Sequence, residues 1–223
     1  MERSYLVIIP AYNAASTIST LIANILNHVN KRDVVVVDDG SKDQTSALVR
    51  GFGIVVLQHP ENRGKGEALK TGFLYALRNN YSAVITIDAD LQHDPESIPD
   101  FVRKSDKTTG VIIGTRKRNL KNMPLARWLS NHLTSVMISM LAGHSVRDSQ
   151  SGYRWISSEV LRKIRLKSKR YDQEPELLIK AGRTRLKIDK VPIRTIYTGG
   201  KSFVKPLVDT ARFIRLMWRS LWW

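Results

Sequence analysis

Cysteine is absent from this sequence of 223 residues, and none of its hydrophobic runs is long. Without cysteine the chain has no disulfides and no thiolate ligands, so a bound metal must be held by oxygen or imidazole. No stretch reaches the roughly 18 uninterrupted apolar residues that a membrane-spanning helix needs. The first predicted strand begins at Tyr5, which leaves no room before it for a signal peptide. These absences predict a cytoplasmic chain that does not cross a membrane.

Acidic residues are scarce in the second half of the chain. Residues 1–102 carry 9 Lys and Arg against 12 Asp and Glu, a net charge of −3, whereas residues 103–223 carry 27 against 8, a net charge of +19. Such an asymmetry indicates an anionic partner, and nucleic acid and anionic membranes are the usual ones. A merely solvated basic surface is the alternative, and charge alone does not decide between them.

Alternating strand-like and helix-like segments predict an α/β fold. Five short apolar runs, rich in β-branched residues, read as buried strands: Tyr5–Ile9, Val34–Val37, Ile54–Leu57, Ala83–Ile87 and Val111–Gly114. Helices are predicted near 16–28, 43–50, 65–79 and 95–104, the last with Asp94 as its N-cap and Pro95 at its first position. This alternation favours right-handed β-α-β units and a mainly parallel sheet, with ligands at the carboxyl ends of the strands.

The second half is less regular. It reads as a helix over Pro124–Ala142, a Gly- and Ser-containing segment over Asp148–Arg154, a helix over Glu174–Ala181, a strand over Leu186–Val191 and a terminal helix from Pro206. We find no internal repeat or linker. The length suits one well-buried core, so we expect residues 1–223 to form a single domain.

The segment from Asp88 to Asp94 carries the strongest chemical pattern. Asp88 and Asp90 are separated by one residue just after a predicted strand, and Gln92 and His93 follow. Two carboxylates so placed can face a hard divalent cation, and Mg²⁺ or Mn²⁺ readily bridges such ligands to nucleotide phosphates. Taken alone, the pattern equally fits a turn with capping aspartates.

Two further polar segments follow predicted strands. Asp38-Asp39-Gly40-Ser41 could accept hydrogen bonds from the base and ribose of a nucleotide, or form a turn in which Ser41 or Asp43 caps the next helix. Asn62–Gly66 opens a helix, where small residues let backbone N–H groups approach an anionic ligand.

In this order and spacing, these segments closely resemble the family 2 glycosyltransferases. The matching pieces are Ile9–Asn13, Asp38–Ser41, Asn62–Gly66, Asp88–Glu96, Gly114–Arg116, Asp148–Arg154, Glu174–Leu178 and Lys201–Phe203. The resemblance spans essentially the whole chain. Within the family, the Asp-Ala-Asp-Leu-Gln-His form is most similar to the dolichol-phosphate mannosyltransferases and polyprenyl-phosphate glycosyltransferases.

The resemblance implies a GT-A fold, a nucleotide-sugar donor, Mg²⁺ or Mn²⁺, and inversion at the anomeric carbon. The matched positions expected to bind the nucleotide sugar are Pro10, Tyr12, Asn13, Asp38, Asp39, Lys65, Gly66, Asp88, Ala89 and Asp90. Those expected to hold the metal are Asp88, Asp90 and Gln92, and those expected at the acceptor phosphate are Arg116, Arg127, Arg154, Lys201 and Ser202. We expect catalysis to depend on Asp90, Arg116 and Asp148.

The same resemblance implies that the acceptor is a polyprenyl or dolichyl phosphate, with GDP-mannose as the first choice of donor and UDP-glucose or UDP-N-acetylglucosamine next. A lipid phosphate is already a nucleophile at neutral pH, so the protein would supply positioning and charge rather than a base. A hydroxyl acceptor would need a base, for which Asp148 and Glu176 are the candidates. His93 adjoins the metal positions, but a lone histidine is more often structural.

The end of the chain has the pattern of an interfacial helix. At 100° per residue one face carries Lys205, Asp209, Arg212, Arg215 and Arg219, and the opposite face carries Leu207, Ala211, Ile214, Met217, Trp218, Leu221 and Trp222. We expect this helix to lie in the membrane interface, on the cytoplasmic side. The helix over 124–142 has a second apolar stripe of Leu125, Trp128, Leu129, Val136, Met137, Met140 and Leu141. Packing on the core or on another subunit is the alternative for both.

The predicted division is a nucleotide-binding half (1–102), an acceptor-binding half (103–205) and a terminal amphipathic helix (206–223). The competing hypotheses are a family 2 enzyme with a saccharide or other hydroxyl acceptor, and an inactive basic scaffold that binds membrane or nucleic acid. A nucleotidyltransferase is disfavoured. Such enzymes normally have a glycine- and arginine-rich loop after the first strand, and this sequence has Pro-Ala-Tyr-Asn there. With no nucleic-acid motif in the sequence, we expect no nucleic-acid partner.

Overall fold

A computed structural model of the chain describes residues 4–116, 125–146, 148–170, 172–194 and 215–220, with side chains of the helix at 125–142 described from residue 134 onward. Its centre is a seven-stranded sheet in the order β3-β2-β1-β4-β6-β5-β7. The strands are β1 (Tyr5–Ala11), β2 (Val34–Asp38), β3 (Val55–Gln58), β4 (Ala83–Thr86), β5 (Thr109–Arg116), β6 (Arg154–Ser157) and β7 (Lys187–Ile193). All neighbours are parallel except β6, which is antiparallel to β4 and β5. The predicted, mainly parallel sheet is confirmed.

Helices cover both faces of the sheet. They are α1 (Ile18–Leu26), α2 (Thr45–Gly51), α3 (Lys65–Arg78), α4 (Ile98–Lys104), α5 (Leu125–Ala142), α6 (Ser158–Lys163) and α7 (Gln173–Gly182), with 3₁₀ turns at Lys31–Asp33 and Pro95–Ser97. The predicted start at Asp94 is confirmed, since its carboxylate accepts a hydrogen bond from Glu96 N at 3.1 Å and Pro95 follows it. No helix within the described ranges has the length and hydropathy needed to cross a bilayer.

Two hydrophobic clusters, one on each face, hold these layers together. The first packs α1, α2 and α4 on the sheet, and the second packs α3, α5, α6 and α7 on the other face. Strands covered on both sides read as continuous apolar runs, and the four valines of 34–37 are all buried. This explains why runs of β-branched residues were sufficient to predict the central strands.

β6 was not predicted from the sequence. It has four residues, begins with an arginine and ends with a serine, so it shows neither a long apolar run nor a clear alternation. Because β6 is antiparallel to β4 and β5, its first residue pairs with Thr86 and Ile113 at their carboxyl ends. The segment that enters β6 therefore reaches the same sheet edge as the loops that leave β1, β2 and β4.

The terminal segment differs in part from its prediction. Residues 215–220 are helical, with Leu216 and Met217 buried in the second cluster and Trp218 69% exposed. Met217 was assigned to the membrane-facing side together with Trp218, and the structure corrects this because Met217 packs in the core. The rest of 206–223 lies outside the described residues.

The apolar stripe of α5 is divided between the core and the surface. Met137 and Leu141 pack against the second cluster, whereas Val136 and Met140 are exposed. Leu125, Trp128 and Leu129 lie outside the residues whose side chains are described. The predicted stripe therefore contributes partly to packing.

Candidate active site

The carboxyl edge of the sheet gathers the polar segments of the first half. Ala11 at the end of β1 pairs with Asp38 at the end of β2, and Ile87 N beyond β4 donates to Ile8 O in β1 at 3.1 Å. The segments Tyr12–Asn13, Asp38–Ser41 and Asp88–Asp94 therefore leave neighbouring strands at one edge. This is the place where ligands bind in open parallel sheets.

Asn13 connects two of these loops. It has φ +50, a left-handed conformation that asparagine tolerates better than most residues. Its side-chain oxygen accepts a hydrogen bond from Lys42 N at 2.9 Å, and its own N–H donates to Ser41 Oγ at 2.9 Å. Tyr12 beside it is 40% exposed. Pro10, also assigned to the nucleotide site, is buried within β1.

Asp38 and Asp39 are buried and hydrogen-bonded within the protein. Asp38 accepts hydrogen bonds from Ser41 N at 2.9 Å and from the Ser46 hydroxyl. Asp39 contacts His59 Nδ1 at 2.7 Å and accepts from the amides of Arg63 and Gly64 at 3.0 and 2.7 Å. Both carboxylates thus organise the loops around the predicted nucleotide site, and their hydrogen bonds to the nucleotide stay a prediction.

The glycines of the Asn62–Gly66 loop make room for another part of the chain. A Cβ at Gly64, which has φ +98, would lie 2.7 Å from Lys169 O, and a Cβ at Gly66 would lie 2.6 Å from Lys169 C. The N–H of Glu67 also donates to Lys169 O at 3.2 Å. On the Cβ side of Gly66 the space is therefore taken by the Lys169 backbone, and the predicted contact of Gly66 with the nucleotide sugar stays a prediction.

Lys65 joins the two halves of the chain at the site. Its Nζ lies 2.6 Å from Asp88 Oδ1 and 2.7 Å from Glu174 Oε1. Burial lowers the pKa of Lys65, but the Asp88 and Glu174 carboxylates outweigh it and raise the pKa above the usual lysine value. Burial raises the pKa of Asp88, and the Lys65 charge reverses this and lowers it. Both groups are therefore ionised at neutral pH.

Asp90 projects from the same loop into a more exposed position. Leu91 has φ +59, an unfavourable conformation for a non-glycine residue, and the resulting turn lets Gln92 N donate to Asp90 Oδ1 at 3.0 Å. Burial, and then the charge of Asp88, raise the pKa of Asp90. The two carboxylates thus repel each other.

A divalent cation fits this pair, because it would remove the repulsion between Asp88 and Asp90 and because carboxylate oxygens are the ligands that Mg²⁺ and Mn²⁺ prefer. In the described part of the chain no three His, Asp or Glu side chains cluster closely enough to form a metal site by themselves. The remaining ligands would then come from the Gln92 amide, substrate oxygens or water.

Gly152 packs directly on the Asp88 carboxylate. A Cβ at this position would lie 2.4 Å from Asp88 Oδ2. The backbone is held there by Thr86, whose hydroxyl donates to Gly152 O at 2.7 Å. The segment before β6 therefore forms one wall of the acidic site, and only a residue without a side chain fits there.

Arg116 and Asp148 form a two-pronged ion pair. Arg116 Nε donates to Asp148 Oδ2 at 2.8 Å, and Arg116 Nη2 donates to Asp148 Oδ1 at 2.9 Å. Asp148 is 2% exposed, while the Arg116 side chain keeps 27% of its surface exposed. Both Asp148 oxygens are held by the guanidinium, so Asp148 orients Arg116; its role as a base for a hydroxyl acceptor stays a prediction.

Arg154 is a buried cation. It is 2% exposed, and its Nη1 and Nη2 donate to the backbone carbonyls of Glu174 and Ser149 at 3.1 and 2.7 Å. Burial lowers the pKa of Arg154, although nearby carboxylates oppose this. These hydrogen bonds join β6 to α7 and to the segment before β6, and the predicted contact of Arg154 with an acceptor phosphate stays a prediction. The side chain of Arg127, and all of Lys201 and Ser202, lie outside the described residues.

Glu176 and His93, the other candidate proton acceptors, are also buried. Glu176 accepts hydrogen bonds from the amides of Lys167 and Ser168 at 2.9 and 2.7 Å and contacts Lys180 Nζ at 2.5 Å. The His93 ring lies 5.6 Å from the Tyr153 ring, and burial lowers the pKa of His93. Glu176 therefore holds the segment before α7, and His93 is a neutral packing residue.

The role of Glu174 was missed from the sequence. Glu174–Leu178 was part of the resemblance, but nothing in one sequence indicates that Glu174 pairs with a lysine 109 residues earlier. The abundance of glycine and serine around Gly152 suggested only an irregular segment. Glu174 and Gly152 both reach the site through tertiary packing.

Comparisons with known proteins agree with this architecture. The chain is 34% identical over 220 residues to the UDP-N-acetylglucosamine–dolichyl-phosphate N-acetylglucosaminyltransferase of Methanococcus voltae, covering 88% of this chain and 87% of that protein. It is 30% identical over 200 residues to the polyprenol monophosphomannose synthase of Mycolicibacterium smegmatis, covering 84% and 76%. Glucosyl-3-phosphoglycerate synthase from Mycobacterium tuberculosis, crystallised with Mn²⁺, UDP and glucosyl-3-phosphoglycerate, superposes with a TM-score of 0.73 at 23% identity, covering 98% of this chain and 78% of that one.

The family follows from the sequence match as well as from the shared fold. Residues 6–165 match the model of glycosyl transferase family 2 and include the loops at the carboxyl edge, the Lys65–Asp88 pair and β6. The chain belongs to this family and is a glycosyltransferase with a GT-A fold.

Proposed function

We propose that this enzyme transfers a sugar from a nucleotide diphosphate to a polyprenyl or dolichyl phosphate at a membrane surface. One observation carries the proposal: the acidic pair Asp88 and Asp90 lies beside the cation Lys65, while the candidate bases are engaged elsewhere. Asp148 holds Arg116, and Glu176 holds the segment before α7. Among the described residues, a site in which Asp148 and Glu176 are both engaged by other groups suits an acceptor that is already ionised, as a phosphate monoester is.

The donor diphosphate would be bound by the first half of the chain. Asp88 and Asp90, with Gln92 as the expected third ligand, would hold Mg²⁺ or Mn²⁺, which when bound neutralises charge on the leaving diphosphate. Tyr12 is exposed at the same edge and offers a ring for a nucleotide base. Lys65 remains protonated, holds Asp88 in place and supplies positive charge next to the diphosphate.

The acceptor phosphate would be oriented by the second half. Arg116 is held by Asp148 and remains partly exposed, so it can meet an anion without first having to order its side chain. Arg127, Lys201 and Ser202 complete the expected acceptor site. Positioning the phosphate opposite the leaving group then favours in-line attack and inversion at the anomeric carbon.

The identity of the donor sugar is the more specific part of the proposal. The two relatives described above are named for different sugars, N-acetylglucosamine and mannose, although both names specify a lipid acceptor. We take GDP-mannose as the first candidate, because the Asp-Ala-Asp-Leu-Gln-His motif is most similar to that branch, and UDP-N-acetylglucosamine and UDP-glucose as the next.

The test is sugar transfer to polyprenyl phosphate in detergent. Labelled GDP-mannose, UDP-N-acetylglucosamine and UDP-glucose are supplied separately with Mg²⁺ or Mn²⁺, and label in the organic phase is counted. We expect metal-dependent lipid product from one donor, and Asp90→Asn should lower it about 1000-fold, because it removes charge where the diphosphate leaves.

Two results would overturn parts of the proposal. Label on an added saccharide, with none on lipid, would replace the lipid phosphate with a hydroxyl acceptor. Full turnover by Asp90→Asn in metal-replete buffer would show that the reaction does not need the Asp88–Asp90 carboxylate pair. Circular dichroism of the variant, compared with that of the wild type, checks that the fold is retained.

A further inference from the structure

A row of exposed basic side chains lies on and after α6. Between Val160 and Tyr171 the sequence has six Lys or Arg and no Asp or Glu. From residue 164 onward the chain alternates, with Ile164, Leu166 and Ser168 turned inward and basic residues exposed between them. We call the exposed set the basic ridge: Arg162, Arg165, Lys167, Lys169 and Arg170. Lys163 is left out because it pairs with Glu159 at 2.7 Å.

The backbone of the basic ridge is fixed to the body of the protein. The buried Glu176 carboxylate accepts from the amides of Lys167 and Ser168, and Lys180 Nζ donates to Arg165 O at 2.6 Å. The acidic group that anchors the ridge is fully buried beneath it. The outward charges are therefore presented on an ordered backbone, so that a partner pays little ordering entropy on binding.

The basic ridge ends at the active site. Ser158, at the start of α6, bonds to Ser82 O just before β4, at the amino edge of the sheet. The Lys169 carbonyl, at the other end, packs on Gly64 and Gly66 beside Lys65. The ridge therefore crosses the face of the molecule from the far edge to the loop that carries Lys65.

The terminal helical turn continues this surface. Lys180, which contacts the ridge at Arg165, lies one turn before Arg183 in sequence, and Arg183 Nη2 donates to Ser220 O at 2.8 Å. The turn at 215–220 exposes Arg215, Trp218 and Arg219. A tryptophan 69% exposed between two arginines is typical of residues at a membrane interface.

We propose that the basic ridge, with Arg215, Trp218 and Arg219, binds the surface of an anionic lipid bilayer. The choice of a bilayer rests on the proposed function, because a polyprenyl phosphate acceptor is confined to a membrane. The charges and the exposed tryptophan are complementary to anionic headgroups and to the headgroup–acyl boundary. Each Lys or Arg held near an anionic membrane strengthens binding about fivefold, and the attraction decays within a Debye length.

The test is sedimentation of the full chain with vesicles of equal parts phosphatidylcholine and phosphatidylserine. The ridge variant carries Arg162→Gln, Arg165→Gln and Lys167→Gln. The control carries Arg32→Gln, Arg103→Gln and Lys107→Gln, three exposed positions on or next to elements away from the ridge. We expect the ridge variant to lose about 100-fold in affinity and the control to stay within about threefold of the wild type.

Varying the salt concentration and using vesicles of neutral lipid distinguish electrostatic binding from other contacts with the bilayer. Wild-type binding should weaken as salt is raised and should be lost on pure phosphatidylcholine. Equal losses in the ridge and control variants would overturn the proposal in favour of a non-specific effect of net charge. Unchanged vesicle binding by the ridge variant, together with loss of its binding to a short double-stranded DNA, would overturn it in favour of nucleic acid.

A transfer assay distinguishes this proposal from the proposed function. With polyprenyl phosphate dissolved in detergent, the ridge variant should turn over as the wild type does, because none of its three side chains lies in the site. If vesicle binding depends on the ridge but no lipid product forms, the membrane-binding proposal is supported and the lipid phosphate is contradicted as the acceptor. Loss of transfer in detergent by a folded ridge variant would instead assign these residues to catalysis and overturn the proposal.

Discussion

The two halves of the chain organise their charges differently. In the first half, acidic side chains lie after strands and are held largely by nearby groups, as Asp38 is by Ser41 and Asp90 by Gln92. Among the basic residues of the second half that the structure describes, two sets stand out. Arg116 and Arg154 are bonded within the site, whereas the basic ridge is exposed. The net charge of +19 therefore includes basic side chains in two different environments, which the charge alone does not distinguish.

The largest expected effect is on stability, at the buried cation of the second half. Arg154→Met leaves the buried carbonyls of Glu174 and Ser149 without these donors and takes one positive charge away from the nearby carboxylates, so we expect a loss of about 4 kcal/mol. Urea unfolding measures it. Arg103→Met, at an exposed arginine, is the control and should change stability by less than about 0.5 kcal/mol. Equal effects at the two sites would remove the distinction between buried and exposed arginines.

The next effect is on activity, where the two halves meet. Gly152→Ala places a methyl group 2.4 Å from Asp88 Oδ2 and should push the carboxylate aside. We expect kcat/KM to fall about 100-fold, equivalent to about 2.7 kcal/mol. Gly51→Ala, where a Cβ meets nothing within 4 Å, is the control and should leave kcat/KM unchanged. An active Gly152→Ala enzyme would contradict the close packing of the two halves at Asp88.

The smallest effect concerns the acidic residue that anchors the basic ridge. Burial raises the pKa of Glu176, but hydrogen bonds from Lys180 and the amides of Ser168 and Lys167 lower it overall. Since the folded pKa is below the unfolded one, this stabilisation is present at neutral pH and is lost as the pH falls through the folded value. Glu176→Gln should cost about 2 kcal/mol at neutral pH.

The pH dependence provides the check. Urea unfolding of the wild type and of Glu176→Gln should differ fully near neutral pH, and the difference should shrink as the pH falls below about 4. A difference that does not change with pH would show that the carboxylate charge contributes nothing and that shape alone anchors the ridge.

The sequence was sufficient for the first half of the fold because the relevant signals are local. β-branched runs marked the strands, and Asp94 with Pro95 marked a helix start; both were confirmed. Polar residues after strands could be assigned to one edge because parallel strands bring their carboxyl ends together. The same reasoning placed Asp88 and Asp90 together.

What the sequence could not predict depends on distant contacts. β6 is too short to show a period, and the Lys65–Glu174 pair joins residues 109 positions apart. Likewise, nothing in the sequence indicated that Asp148 pairs with Arg116 or that Arg154 donates to the carbonyls of Ser149 and Glu174. The residue type determines which interactions a side chain can make, and the tertiary packing determines which partner it contacts.

The reversed direction of β6 separates the two ends of that strand in their tolerance of change. The segment before β6 lies at the active edge and includes Gly152, whereas Ser157 and the start of α6 lie at the opposite edge. Insertions or deletions before Gly152 would therefore act on the active edge, because Asp148 there holds Arg116 and Ser149 O accepts from Arg154. Insertions between β6 and α6 would instead separate Ser157 from the helix that it caps and would disrupt the buried hydrogen bonds of Ser158 to Tyr81 O and Ser82 O, so they would lower stability on the far side of the molecule.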